Sequence, residues 1–504
     1  MWRKQRIDME EVSCTQGMPA DKPKVPAADA VIAWASLALG FVFTHFAVKY
    51  FGGLWGGIFW ALLGVLGALF VKVKSVSVRL SHIVVFSIAE LFCFVPLFSA
   101  NYFVNFLAAA FSFILYFYLT AAISGAELFG RHFVLDLLIS VMARPFENFT
   151  RQPRSAFSIF RGKTRSKNVL YALIGLLIAV PLTIVVVFLL MRSDELFENS
   201  MDEFSKHLPD FSFSVFWEIL FAIPLAMYIF GAVFSMRCAA PAHNEGEPSY
   251  RFAPPIAAYF AVTPICIFYL IYIITQFGNI ANAIGKTLDY SEFARRGFFE
   301  LCAIAVINLG VIVLMQTFTR RKQSDAKPFA LRVYTVTISL FTMLIIATAI
   351  TKMLMYIGEY GMTLMRVYTS WFMLLLAVIF VLIIVLQIRD YEIWRVMFAA
   401  FTVMFGLLCF GDFEGMIARY NISAYRSGEL EELDVRAFGE LGYSAAAPAA
   451  ELLEDTSDDR LKSKINGVLK DIQIVDEYQD GFAYFSIPRA RAQTALERVE
   501  VLKM

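Results

Sequence analysis

The sequence predicts an all-α, polytopic membrane helix bundle of about 11 spans followed by a small helical extracytoplasmic domain. Three observations carry this. Residues 29–411 form a series of apolar runs, each roughly 20 residues long, the length that crosses a hydrocarbon core as a helix. The 504-residue chain is 59% hydrophobic and 15% aromatic, with mean hydropathy +0.63, and the excess lies in those long runs, where a soluble core could not use it. Lysine and arginine alternate in density between successive interspan segments, 25 on one side and 8 on the other.

The spans fall at 29–48, 54–71, 81–98, 104–124, 169–191, 212–236, 255–277, 297–318, 333–355, 367–388 and 394–411. The basic bias places the N-terminus, the cytoplasmic tail 1–28, inside, and an odd number of spans then puts 412–504 outside. The first 28 residues are polar and charged, so no cleavable signal is expected and the first span acts as its own insertion signal. A net charge of +1 says nothing of partners when charge is segregated by side. No basic domain or zinc spacing supports nucleic-acid binding. Of the six cysteines none lies beyond residue 411 and no pair has CxxC spacing, so no disulfide framework is expected for the C-terminal segment.

Along the second span Gly53, Gly57, Ala61, Gly64 and Ala68 form a stripe of small residues, a signal for close helix packing. Glu90 stands near the middle of the third span, Glu218 two turns into the sixth, and His45 near the outer end of the first. Buried charge is expensive in a bilayer, so Glu90 reads either as a proton- or ion-coupling carboxyl or as a neutral acid hydrogen-bonded across helices. The long inner loop opens with a stretch, 131–143, whose His132, Asp136 and Ser140 share one helical face. It predicts a helix on the inner membrane surface. The basic residues after it, from Arg144 to Lys167, suit anionic headgroups, although any inner loop carries such charge. Pro181, Pro224 and Pro264 sit inside three successive spans and free a carbonyl in each.

The charge near the outer ends of spans eight to eleven is concentrated in three clusters. Glu292, Arg295, Arg296 and Glu300 lead into the eighth span; Lys352, Tyr356, Glu359 and Arg366 flank the turn between the ninth and tenth; Asp412, Glu414, Arg419 and Asn421 follow the eleventh. The topology brings them to one depth. Two readings stay open: a polar pocket for an anionic ligand or lipid headgroup, for which arginine's planar fork is suited, and a salt-bridge network that clamps the bundle and seats the C-terminal domain. Past residue 411, Leu461, Ile465, Val468, Leu469 and Ile472 carry the spacing of an amphipathic helix with Ser457 as N-cap. A later helix starts at Pro488 behind Ser486 and carries Ala492, Leu496 and Val499 on one face.

These clusters bear a family likeness. Tyr290–Leu301, Lys352–Arg366 and Asp412–Asn421 resemble the signature segments of the bacterial multi-pass families of unknown function numbered forty-one fifty-three and forty-one seventy-three. Ser193–Phe197 resembles a fourth, with Glu195 where the family usually has proline. Leu433, Asp434, Leu441 and Phe485–Ala492 resemble the tail of some members. The likeness runs in order from about 169 to 495; no motif matches in the first four spans. It implies a protein of the bacterial cytoplasmic (inner) membrane and brings no established reaction with it.

No GxSxG, Walker, HExxH or GxGxxG signature is present, and the five histidines are dispersed, so neither a cofactor nor a metal site is expected. The favoured function is a non-enzymatic envelope or sensory protein whose outer polar site takes an anionic ligand, a headgroup or a partner protein. The alternatives are a transporter or channel-like protein working through Glu90, and an envelope enzyme on a lipid-linked substrate using Glu292, Glu300 or Glu359. Membrane lipids are the expected partners, and the sequence does not set the oligomeric state.

Overall fold

The computed structural model describes residues 27–47, 53–130, 133–160, 213–238, 253–283, 298–319, 329–389, 392–478 and 481–503, with isolated positions between 183 and 193. The described elements are helices; the only β-feature among them is a single bridge, Ala253 to Thr319. In chain order they are α1 (Ala27–Val42, continued by a π-turn Phe43–Ala47), α2 (Leu54–Val73), α3 (Leu80–Cys93), α4 (Val95–Phe98), α5 (Tyr102–Ile123), α6 (Phe133–Leu138, continued by a π-turn Ile139–Ala143), α7 (Arg144–Glu147) and α8 (Arg151–Ala156). Then come α9 (Phe213–Phe234), α10 (Pro255–Ala283), α11 (Phe298–Phe318), α12 (Phe329–Tyr360), α13 (Leu364–Ile388) and α14 (Ile393–Phe410). The chain closes with α15 (Phe413–Ser427), α16 (Arg436–Leu441), α17 (Tyr443–Asp455), α18 (Asp459–Tyr478) and α19 (Ile487–Lys503).

Ten helical segments among the described residues are long and apolar enough to cross a membrane, so the chain is a multi-pass helical membrane protein. The span expected at 169–191 lies outside the described residues apart from three isolated positions. α12 is longer than its expected span, running from Phe329 to Tyr360 instead of 333–355. It stops where Gly361 takes φ +77°, a conformation that favours glycine, and donates its N–H to Ile357 O at 2.8 Å.

The spans pack as two groups. One core joins α1, α2, α3, α5 and α9. α1 lies along α9, where a side chain at Gly40 would collide with Ala222 O. The small-residue stripe of α2 lets α3 approach closely: a Cβ at Gly57 would meet Cys93 O at 2.1 Å, and one at Gly64 would meet Glu90 Oε1 at 2.0 Å. The other core joins α10 to α13 and is cross-linked by neutral polar pairs: Tyr269 to Asn308 (2.6 Å), Asn308 to Thr342 (2.9 Å), Gln316 to Thr335 (2.9 Å) and Thr263 with Tyr334 (2.7 Å). Such bonds satisfy polar side chains where no water can. α14 ties the groups together. It follows α13 in sequence but stacks Phe405 on Phe92 of α3, with ring centroids 5.3 Å apart, and Phe405 also meets the edge of Phe111 of α5.

The C-terminal helices share a core of their own, which includes Met362, Leu364 and Val367 from the turn and first residues of α13. Leu461, Ile465, Leu469 and Ile472 are buried in it and Val468 half-buried, on the face their spacing predicts. The cap is one residue later than expected: Asp458, not Ser457, accepts from Arg460 N at 2.8 Å. Ser486 caps α19 as expected, and Ala492, Leu496 and Val499 are buried.

The stretch expected to lie on the membrane surface is helical from Phe133, with His132 outside the described residues. Asp136 and Ser140 are buried against the bundle, while Val134, Leu138 and Met142 are exposed. Leu137 and Val141, on the apolar face by spacing, pack against the first core.

Candidate functional site

Two polar layers close the bundle, one at each end, and they are built differently. The first lies where the C-terminal helices meet the spans. Asp412 caps α15, its Oδ1 accepting from Gly415 N at 3.0 Å, and Arg419 reaches its Oδ2 at 3.4 Å from the exposed side. Glu414, two residues on and within the first turn, is buried, and its Oε1 accepts from Asn101 Nδ2 at 2.9 Å. The same amide reaches Tyr368 Oη at 3.0 Å, while Asn101 Oδ1 caps α5 through Phe103 N and Val104 N. Burial, with the charge of Asp412 beside it, pushes the Glu414 pKa above the ordinary carboxylate value; the hydrogen bonds to it only temper this.

Asn421 is bonded in both directions to one peptide unit pair of the turn, accepting from Met362 N at 2.7 Å and donating to Met362 O at 2.8 Å. Gly361 makes room for it, since a Cβ there would sit 2.8 Å from Asn421 Oδ1. Arg366 donates to Tyr360 O at 3.2 Å and to Gly361 O, and its guanidinium lies 4.3 Å over the Tyr356 ring. Lys352 is buried one turn below Tyr356 and interacts electrostatically with Glu300 across the α11–α12 interface. Glu359 is exposed on the last turn of α12. Glu292, Arg295 and Arg296 lie outside the described residues.

Of the predicted residues, the structure thus joins Asp412 with Arg419, Lys352 with Glu300, and Tyr356 with Arg366, and seats Glu414 and Asn421 against neutral partners. Sequence reasoning missed those partners: Asn101, Tyr368 and the Met362 backbone. Asn101 carried a legible signal, an asparagine N-cap ahead of an apolar run; Tyr368 carried none.

The second polar layer sits at the opposite end. Arg144, which opens the basic stretch of the inner loop, is only 4% exposed. It donates to Ser124 Oγ and to Ser235 O, each at 2.7 Å, and to Cys238 O at 3.4 Å, bringing the ends of α5 and α9 onto α7. Desolvation lowers its pKa, opposed by Glu147 and Asp136. Asp29 of α1 and Lys74 after α2 form a buried ion pair, a charge contact without hydrogen-bond alignment at Asp29 Oδ1. Gln152 donates to Ala33 O at 3.1 Å and Trp34 to Ala156 O at 3.2 Å, fixing α8 on α1.

Two of the isolated intramembrane groups turn out to be one. Glu218 Oε2 lies 2.6 Å from His45 Nδ1, linking α9 to the π-turn after α1, with His45 stacked on Phe41. The π-turn re-aims the side chain into this contact. Glu90 contacts the Tyr116 hydroxyl across the α3–α5 interface, and Tyr116 also meets Cys93 Sγ at 3.3 Å. Glu90 Oε1 has no aligned partner among the described residues. Beside this cluster a half-open cleft of about 260 Å³ runs between α2, α3, α5 and α9, lined by apolar side chains and by Tyr116, Thr120 and His82. Among the described residues no group of three His, Cys, Asp or Glu side chains gathers as metal ligands.

A search of curated proteins and one of solved structures found no match to the chain. One family model matches it, a domain of unknown function (DUF4153), over residues 86–452. The match enters at α3, in the region where no sequence motif was recognised, and ends before Phe485–Ala492.

Proposed function

We propose that this chain, which belongs to the DUF4153 family, is a non-enzymatic envelope protein in which an extracytoplasmic helical portion is held rigidly on a membrane bundle and signals through it or anchors a partner at its surface. Of the two readings of the polar clusters, the clamp is the better supported. The observation that carries it is the joint at Asn421 and Glu414, where α15 is hydrogen-bonded to the 361–363 turn and to Asn101. Arg366 and Arg419 are engaged by backbone oxygens, a ring and a carboxylate, which leaves them poorly placed to present a fork to a free anion. Bonds of this kind make the C-terminal helices and the spans move as one body, which suits a protein that relays the state of one to the other. The basic bias supports an inside N-terminus, and the family resemblance a bacterial inner membrane.

A transporter is the second reading, and Glu90 favours it, because a carboxyl in mid-span with an unaligned oxygen is a natural proton carrier. A reconstitution separates the two. Purified chain in liposomes holding a pH-sensitive dye, under an imposed pH gradient, should leak no faster than protein-free liposomes. In the same preparation Asn421→Ala should lose amide-exchange protection in 361–366 and 413–427 together. Proton flux abolished by Glu90→Gln would overturn the proposal in favour of transport. Loss of protection in 413–427 alone would remove the rigid joint.

A further inference from the structure

The cleft between α2, α3, α5 and α9 is a feature that neither polar layer explains. Its walls are aliphatic and aromatic, among them Leu63, Val71, Phe86, Ile229 and Val233. Small residues of α2 create the space: Gly67 and Ala68 line it, and a Cβ at Gly67 would meet only Met236 Cε, at 3.6 Å. The open side is bordered by exposed Ala68, Val78 and Ile83, continuous with exposed Leu69, Val73, Leu80 and Val84. That surface lies on two membrane spans, so the medium that reaches the cleft is hydrocarbon. Apolar cavities of this order stay dry and take apolar guests.

One end of the cleft is not neutral. Val71 in the lining is followed by Lys72, and Val78 by Arg79, both exposed. Arg79 stands at the N-cap position of α3, and its backbone N–H donates to Nδ1 of the lining residue His82 at 3.4 Å, which sets its backbone beside the mouth. Lys74, between them in sequence, is engaged by Asp29 and is not part of this rim. Two cations at the end of an apolar cleft match a phosphodiester at the end of an acyl chain.

We propose that this cleft binds one acyl chain of an anionic phospholipid, with the phosphate held at the rim formed by Lys72 and Arg79. The two parts of the site do different work: the cleft selects a chain, and the rim selects charge. Tyr116 marks the deep end, so the chain terminus comes to rest beside the Glu90 cluster.

The test uses the full chain, purified in mild detergent, stripped of lipid and titrated separately with dioleoyl phosphatidylglycerol and dioleoyl phosphatidylcholine, with bound lipid counted by native mass spectrometry. The wild type should retain one phosphatidylglycerol roughly tenfold more tightly than phosphatidylcholine. Gly67→Leu grows into the cleft and should lose that retained lipid. Lys72→Gln with Arg79→Gln should keep a bound lipid but no longer distinguish the two headgroups. Undiminished binding by Gly67→Leu overturns the site, and so does equal binding of the two lipids by the wild type. Should Gly67→Leu fail to fold, phosphatidylglycerol carrying a photoreactive diazirine on its chain decides on the wild type. Crosslinks confined to 63–71, 83–86 and 229–236 support the site, and labelling spread evenly around the bundle refutes it.

Discussion

The two polar ends of the bundle hold similar residue types in opposite ways. At the end carrying the C-terminal helices, charge is dense but much of it is wet: the Arg419 side chain is 58% exposed and that of Asp412 31%. Stability there rests on neutral groups, the Asn421 amide and the Asn101 amide, and on the buried acid they seat. At the other end, which carries most of the interspan lysines and arginines, three charged side chains are dry: Arg144, Asp29 and Lys74 lie inside the packed helices. An exposed ion pair is weakened by solvent and salt, whereas a buried charge that loses its partner keeps its full desolvation cost. The comparison teaches that a conspicuous cluster of charge does not mark where charge matters most for folding; burial of the individual side chain does.

The most direct way to break the comparison is at Arg144. Arg144→Ala removes the guanidinium donor from the Ser235 and Cys238 carbonyls and the Ser124 hydroxyl, of which Ser235 O keeps the Cys238 N–H, and removes the buried cation facing Asp136 and Glu147. We expect a loss of about 3–5 kcal/mol, read as a lowered unfolding midpoint in detergent. A loss under about 1 kcal/mol would mean that Arg144 is hydrated after all and would erase the distinction between the ends. Somewhat smaller effects are expected at the Asp29–Lys74 pair. Asp29→Leu alone strands the ammonium, as Lys74→Met strands the carboxylate, and each should cost about 3 kcal/mol. The double variant should recover most of that, because an apolar pair of similar size has no charge to desolvate. Additive losses in the double variant would show that the two side chains act separately.

How much of this was legible follows from what each feature depends on. The spans were legible because hydrocarbon length is a constraint on the sequence itself, and Leu461–Ile472 because a buried face must repeat with the helix. The packing of α2 on α3 was legible in the small-residue stripe. The pairing of His45 with Glu218 was not: 173 residues separate them, and local pattern says nothing about which spans become neighbours. The burial of Arg144 was not legible for a related reason. A basic residue beside a span obeys the positive-inside rule whether it points to lipid headgroups or into the protein, and only tertiary packing decides. The burial of Asp136 and Ser140 was not legible, because amphipathicity shows that a helix has two environments, not which one is the protein. The clusters of the candidate site were visible as charge, but their neutral partners Tyr368 and Met362 had no signal in a reading that looked for charge.

A sharper comparison comes from pH. Glu414 is buried and its pKa lies above the ordinary carboxylate value. Between that ordinary value and the raised one, the folded chain holds a proton that the unfolded chain has released. Stability must therefore fall as pH rises through this window, and be level on either side of it. Glu414→Gln keeps an oxygen to accept from Asn101 and has nothing to titrate, so its unfolding midpoint should lose this slope. Parallel midpoint-against-pH curves for the two proteins would show that Glu414 is solvated in the folded state, and the joint looser than its geometry implies.

The smallest effect is expected where the charge looks most conspicuous. Arg419 meets Asp412 at 3.4 Å on the exposed face of α15, so Arg419→Ala should cost less than about 1 kcal/mol, and less still in high salt. Asp412 has a second role, since its Oδ1 accepts the Gly415 N–H that opens the helix. Asp412→Asn keeps an oxygen for that cap and removes the charge; Asp412→Ala removes both. The asparagine variant also loses the longer contact of Asp412 with exposed Arg491 at 3.9 Å, so it should cost slightly more than Arg419→Ala, and the alanine variant should lose about 1 kcal/mol more again. These values, read from unfolding midpoints, separate capping from pairing at one residue. If Asp412→Asn costs as much as Asp412→Ala, the ion pair and not the cap holds the start of α15. The wet end would then draw real stability from its charges, and the contrast with the buried layer around Arg144 would be one of degree.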